Sequence, residues 1–100
     1  MKTIQEQVVD WHRDTFPIAT LAAIEMKLIE ECRELIAAIH AGNNSDIHDE
    51  MADVRVVSVV WLERMGMDED ENTLDKLEIN KKRTWGKEDH VGDRPRIKSC

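Results

Sequence analysis

VRVVSVVW, residues 54–61, is the stretch on which the fold turns. Five of its eight residues are valine, and β-branched side chains favour strands. Its flanks favour a helix. A capping residue, Ser45 or Asp46, precedes it, the charged Leu62-Glu63-Arg64 follows, and Gly66 lies beyond. Across that longer window Ile47, Met51, Val54, Val57, Val60 and Trp61 recur at helical spacing. The run is therefore read as part of a helix reaching Met65, with Trp61 in the core.

The same periodicity extends upstream. A helix is expected from about Ile18 to Ala41, with Leu21, Ala22, Leu28, Ile29, Cys32, Leu35, Ile36 and Ile39 on a wide apolar face. Gly42 and Asn43-Asn44 end it. Thr3-x-x-Glu6 is a capping-box pattern opening a first helix over 3–15, with Ile4, Val8, Trp11 and Thr15 on one stripe. Phe16-Pro17 stops that helix. Asp68 to Asn72 is expected to be an acidic connector, followed by a fourth helix over 73–83 carrying Leu74, Leu77 and Ile79. From Thr84 to Cys100 the chain turns polar, and an extended, solvated tail is expected. The fold class is all-α: four helices with an antiparallel central pair, a single domain over 1–100.

One hundred residues give a modest core. Helices one and four are expected to pack against another subunit, in a homodimer or a tetramer made of dimers. The formal charge of −7 is unevenly distributed. Residues 1–80 hold 7 Lys/Arg against 18 Asp/Glu, and residues 81–100 hold 7 against 3. An acidic body argues against a nucleic-acid partner. No apolar run is long enough for a membrane span and no signal peptide is seen, so the simplest location is cytoplasmic. Cys32 and Cys100 make no disulfide framework.

The core helices carry carboxylates. Glu30, Glu31 and Glu34 interrupt LIEECREL (28–35), and Glu50 and Asp53 interrupt DEMADVRVV (49–57). Residues three apart share a helix face, so Glu31 points with Glu34 and Glu50 with Asp53; Glu30 joins Glu34 at spacing four. Packed antiparallel, the two helices bring four or five carboxylates together. Uncompensated, such a cluster is costly. Carboxylate oxygens select hard cations, Mg²⁺ or Mn²⁺ before Ca²⁺. Two such ions suit displacement at phosphorus, one polarising the phosphate and the other activating water. Taken singly, either pair is an ordinary solvated face; two pairs on consecutive helices, flanked by apolar positions, are not.

EECRE followed by EMAD resembles the E-x-x-E…E-x-x-D signature of the MazG-like all-α nucleoside triphosphate pyrophosphohydrolases. Trp11 with Thr15-Phe16-Pro17, and Lys76, Asn80, Arg83, Trp85 and Gly86 in KLEINKKRTWG, are similar to the small phage and bacterial branch acting on dATP and dGTP, which includes the phage MazZ enzymes. The resemblance spans about residues 8–98. It implies cleavage between the α- and β-phosphates, giving a nucleoside monophosphate and pyrophosphate. It implies Glu31, Glu34, Glu50 and Asp53 as metal ligands, with Glu30 binding a further ion or orienting the attacking water. Glu30 or Glu34 is the expected proton acceptor. That branch often has a histidine ahead of the first glutamates; here the stretch is Met26-Lys27-Leu28, and either that contribution is absent or Lys27 replaces it.

Lys76, Asn80 and Arg83 are spaced to share one face of the fourth helix. Lys76 and Arg83 suit phosphate, and Asn80 phosphate or sugar; the alternative is a solvated basic face offsetting the helix dipole. Trp11 and Trp85 are candidates to stack on a base, with Phe16-Pro17 shaping the same pocket. Arg94, Arg96 and Lys98 would fold over substrate or a neighbouring subunit, unless the tail stays solvated. His12, His40, His48 and His90 read as surface residues, with His48 a possible outer partner of Glu50.

Other metal patterns fail. DEDENTLDKLEI (68–79) places Asp68, Asp70 and Asn72 like an EF-hand loop but has Thr73 for the required glycine and Ile79 for the final glutamate. No glutamate has a histidine three residues on, as a di-iron bundle needs. A non-catalytic helical module, regulatory or antitoxin-like, binding metal or nucleotide in the acidic cleft, is the alternative function.

Overall fold

The structure is a computed structural model and describes residues 1–97. Lys98 and Cys100, named above, lie outside the described residues. Four helices follow in order, α1 (Ile4–Thr15), α2 (Leu21–Ala41), α3 (Asn44–Arg64) and α4 (Glu69–Lys82), then two short strands, β1 (Thr84–Trp85) and β2 (Arg96–Ile97). The chain divides into two compact units, Met1–Glu69 and the remainder from Asp70.

In the first unit the caps are local and strong. The Thr3 hydroxyl accepts from the Glu6 amide, and the Glu6 carboxylate accepts from the Thr3 amide, both at 3.1 Å. α2 begins three residues later than expected, because Phe16–Ala19 form a turn and the Thr20 hydroxyl caps the Ala23 amide. Gly42 takes a left-handed conformation with φ +68°, and its amide closes the end of α2 on Ala38 and Ile39. The cap of α3 is Asn43, whose side chain accepts from the Asp46 amide, in place of Ser45 or Asp46. The connection is thus only Gly42-Asn43, and α3 folds back along α2.

The valine-rich run is helical throughout. Packing against the neighbouring helices outweighs the modest β-branched penalty. Val59 and Val60 are buried, with Ile24 and Ala38 of α2. α1 packs on α3. Ser58 returns its hydroxyl proton to the Val54 carbonyl at 2.8 Å, so the polar residue inside the run is satisfied. The expected apolar stripe is only partly covered in a single chain. Ile36, Ile39 and Met51 remain about half exposed, and Ile18 and Met26 more so. Three helices can bury one face of α2, not its whole apolar width.

The expected acidic connector is instead the first turn of α4. The Glu69 amide donates to Gln5 Oε1 at 2.6 Å, and its carboxylate accepts from Arg55 Nε at 2.7 Å. An α1 side chain therefore satisfies an orphan donor at the helix start, and the acidic residues there suit the helix dipole.

In the second unit, α4 continues to Lys82 and leaves Leu74, Leu77 and Ile79 exposed. Over 84–97 the chain is a closed loop and not an extended tail. β1 and β2 pair antiparallel, Thr84 opposite Ile97 and Trp85 opposite Arg96. The Asp89 carboxylate accepts from the Val91 and Asp93 amides at 2.9 Å, which holds its pKa below the usual carboxylate range. Gly86 lies so close to Pro95 that an added Cβ would stand 2.7 Å from the proline ring. Among the described residues, no helix is long and apolar enough to cross a membrane.

Candidate active site

The α2–α3 pairing carries the carboxylates into one place. Glu31 lies on the face of α2 turned toward α3 and is 5% exposed. Glu50 and Asp53, one turn apart on α3, present their carboxyl groups to it. One oxygen from each of Glu31, Glu50 and Asp53 lies within 4.8 Å of the others. Glu34, one turn beyond Glu31, is near enough to Glu50 to raise its pKa. Glu30 does not converge with them: its side chain is 57% exposed and 3.6 Å from Lys27.

Desolvation, then the neighbouring Glu34, then the charges of Glu31 and Asp53, push Glu50 up to about 7. Asp53 is raised by desolvation and by Glu31, with Lys27 acting in the opposite sense. Two oxygens, Glu31 Oε2 and Glu50 Oε2, are buried without a hydrogen-bond partner. A buried, unpaired carboxylate oxygen is rare and costly. Two on facing helices, both at the same cluster, fit an oxygen-ligated divalent cation.

A cavity of about 340 Å³ adjoins the cluster, with Glu31 and Asp53 in its wall. Trp11, His12 and Phe16 line it too, and Ile24, Val57 and Val60 make it largely apolar. Trp11 and Phe16 meet edge to face with centroids 5.9 Å apart, and His12 lies 5.3 Å from Phe16. His12 is thus no plain surface residue. Burial and the nearby Arg64 lower its pKa and favour the neutral ring. The sequence held one hint, since His12 and Phe16 are four apart at the Trp11 end of α1. His48, in contrast, is largely exposed and 3.2 Å from Asp49.

Within the second unit, Asn80, Arg83 and Trp85 form a linked group. The Arg83 guanidinium donates to Asn80 Oδ1 at 3.1 Å, and the Trp85 indole donates to the Asn80 carbonyl at 3.0 Å. Arg83 lies just past the end of α4 and bends back, so it does not extend the helical face that Lys76 and Asn80 occupy. Lys76 is exposed. Arg94 donates to the Gly86 carbonyl, which ties the loop to β1.

A helical hairpin with acidic residues facing one another, beside a largely apolar cavity, suits a metal-dependent hydrolase of nucleotides. Residues 19–84 match the MazG nucleotide pyrophosphohydrolase domain, and the chain belongs to that family. It is a nucleoside triphosphate pyrophosphohydrolase. Among solved structures it is similar to a cyanophage S-2L MazG-like pyrophosphohydrolase bound to dGDP and three catalytic Mn²⁺ ions per active site. The two share 28% identity, with 94% of this chain and 93% of that chain covered and a TM-score of 0.71. Among curated proteins, no significant relative is found.

Proposed function

We propose that this enzyme hydrolyses a purine deoxynucleoside triphosphate, dGTP or dATP, between the α- and β-phosphates, releasing the monophosphate and pyrophosphate. The observation that carries the reading is the pair of buried, partnerless oxygens on Glu31 and Glu50, in a carboxylate cluster whose Glu31 and Asp53 line a largely apolar cavity. Purine and deoxy preference draw support from the dGDP bound by the cyanophage relative.

Glu31, Glu34, Glu50 and Asp53 are the residues that would hold Mg²⁺ or Mn²⁺. Such ions, when bound, neutralise phosphate charge and make water more acidic. The chain's own groups do the rest. Glu34, beside Glu50, is better placed than Glu30 to accept the proton of the attacking water; Glu30, toward solvent with Lys27, serves as an outer acidic group. Trp11 and Phe16 offer ring faces for the base, and the apolar floor excludes water from it. Lys76, Asn80 and Arg83 are assigned to the triphosphate and sugar and Trp85 to the base, with the Asn80–Arg83 bond setting the guanidinium. The whole chain acts as one domain. The half-exposed Ile36, Ile39 and Met51 support self-association as a homodimer or a tetramer of dimers.

The test is a product assay with each common dNTP and NTP in Mg²⁺ or Mn²⁺. Monophosphate plus pyrophosphate, fastest with a purine deoxynucleotide and abolished by chelation, is expected. Release of diphosphate and phosphate, or preference for a pyrimidine, would sink the reading.

A further inference from the structure

Lys27 reaches into the carboxylate cluster from one turn before Glu31. Its ammonium lies 3.1 Å from Glu31 Oε1 and 3.6 Å from Glu30 Oε2. The pair is asymmetric: the Glu31 side chain is 6% exposed, that of Lys27 54%. A flexible four-carbon stem thus brings a compact charge to a buried carboxylate while its own surroundings stay wet. The two oxygens of Glu31 are divided, Oε1 toward Lys27 and Oε2 without a partner. Lys27 also lines the cavity beside Glu31 and Asp53. An ordinary surface pair would join two exposed groups and matter little. Here one partner is buried, and removing the other leaves an uncompensated charge.

We propose that Lys27 is a built-in counter-ion of the metal-free site: its ammonium holds Glu31 in the orientation seen here and competes with the first divalent cation for that carboxylate. This rests on reading Glu31, Glu50 and Asp53 as metal ligands. Lys27 is then a positioning residue with two effects of opposite sign. In the metal-free protein it supports the fold, because it neutralises part of the cluster. Toward a divalent ion it acts as a rival and a repelling charge. Its removal should weaken the metal-free protein and strengthen metal binding, whereas loss of a merely structural lysine would loosen both.

The experiment compares the full-length wild type with Lys27→Met and Lys27→Arg. Thermal unfolding is recorded in chelator, and Mn²⁺ affinity without nucleotide is measured from the spin-resonance signal of free Mn²⁺. Lys27→Met should melt at lower temperature in chelator and bind Mn²⁺ about tenfold tighter, the order expected for removing a unit charge beside a divalent ion in a wet site. Lys27→Arg should stay near wild type in both. If Lys27→Met does not fold, Lys27→Gln takes its place with the same expectations. Unchanged melting in chelator, or Mn²⁺ affinity equal to or weaker than wild type, overturns the proposal. If the wild type shows no saturable Mn²⁺ binding, the metal-ligand reading fails and the competition with it. Binding by the wild type with no gain in the variant sinks the role of Lys27 alone.

Discussion

Glu50 of α3 neighbours Glu34 of α2 across the helical hairpin, and that second carboxylate, after desolvation, favours a proton on Glu50. The pKa of Glu50, raised from 4.5 to about 7, means that the folded, metal-free protein takes up a proton there more readily than the unfolded chain does. The stabilisation is fully present below about pH 4.5 and is lost as pH rises through 7. His12 opposes it: a lowered histidine pKa makes the fold more stable as pH rises toward the ordinary value of 6.5. Above 6.5 that opposing contribution fades over about one pH unit, and the carboxylates dominate. Melting temperature in chelator should fall from pH 6.5 to 8, and saturating Mn²⁺ should flatten or reverse that slope. A chelated protein whose melting temperature rises over that range would contradict the assignment.

Replacing Glu50 by Gln keeps the side-chain shape and removes a charge from the cluster. Turnover should drop at least ~10²-fold, as for loss of a metal-site group. In chelator at pH 8 the variant should melt no lower than wild type, since a repelling carboxylate has gone. Steady-state kinetics and calorimetry on one preparation separate the two effects. A variant that keeps most of its activity would remove Glu50 from the site.

Trp11 is 52% exposed yet lines the cavity, so its contribution to the core is limited. Trp11→Ala should cost roughly tenfold in kcat/KM, mostly through KM, in line with about 1–3 kcal/mol for stacking a base on an aromatic ring. Far-ultraviolet circular dichroism should be unchanged. An equal fall in kcat with KM untouched would place Trp11 outside the ground-state pocket.

Val59 is the most deeply buried large side chain, 1% exposed. Val59→Ala should destabilise the protein by about 2 kcal/mol, combining lost burial with a small cavity. Urea unfolding at fixed protein concentration reads it directly. A change under about 0.5 kcal/mol, the range of ordinary surface substitutions, would mean that α3 repacks.

Much of this was legible in the sequence. Helix starts and stops depend on neighbours within four residues, so Thr3 and Gly42 carried their own instructions in hydroxyl and missing side chain, whereas the caps at Thr20 and Asn43 are equally local but the expected starts, Ile18 and Ser45 or Asp46, lie a few residues off. Helical periodicity likewise put Glu31 with Glu34 and Glu50 with Asp53 before any contact was seen. Beyond those two caps, the cause of each miss was non-local. α4 starts at Glu69 because Gln5, far away in sequence, accepts its amide proton. The polar stretch after Thr84 closes because Gly86 lets Pro95 approach and Asp89 gathers two amides, so composition alone misled.

The site divides along the same line. Sequence by itself determined the all-α class, the carboxylate inventory and the helical faces that bear it, because helix geometry and capping are short-range. Only the tertiary structure decided that Glu31 is buried while Glu30 points to solvent beside it. Only it brought Glu50 and Asp53 to Glu31, placed His12 in the cavity and set Lys27 on the buried carboxylate. Those outcomes depend on how α2 is rotated against α3, and that rotation is chosen by packing around Ile24, Ala38, Val59 and Val60 rather than by any residue's local preference.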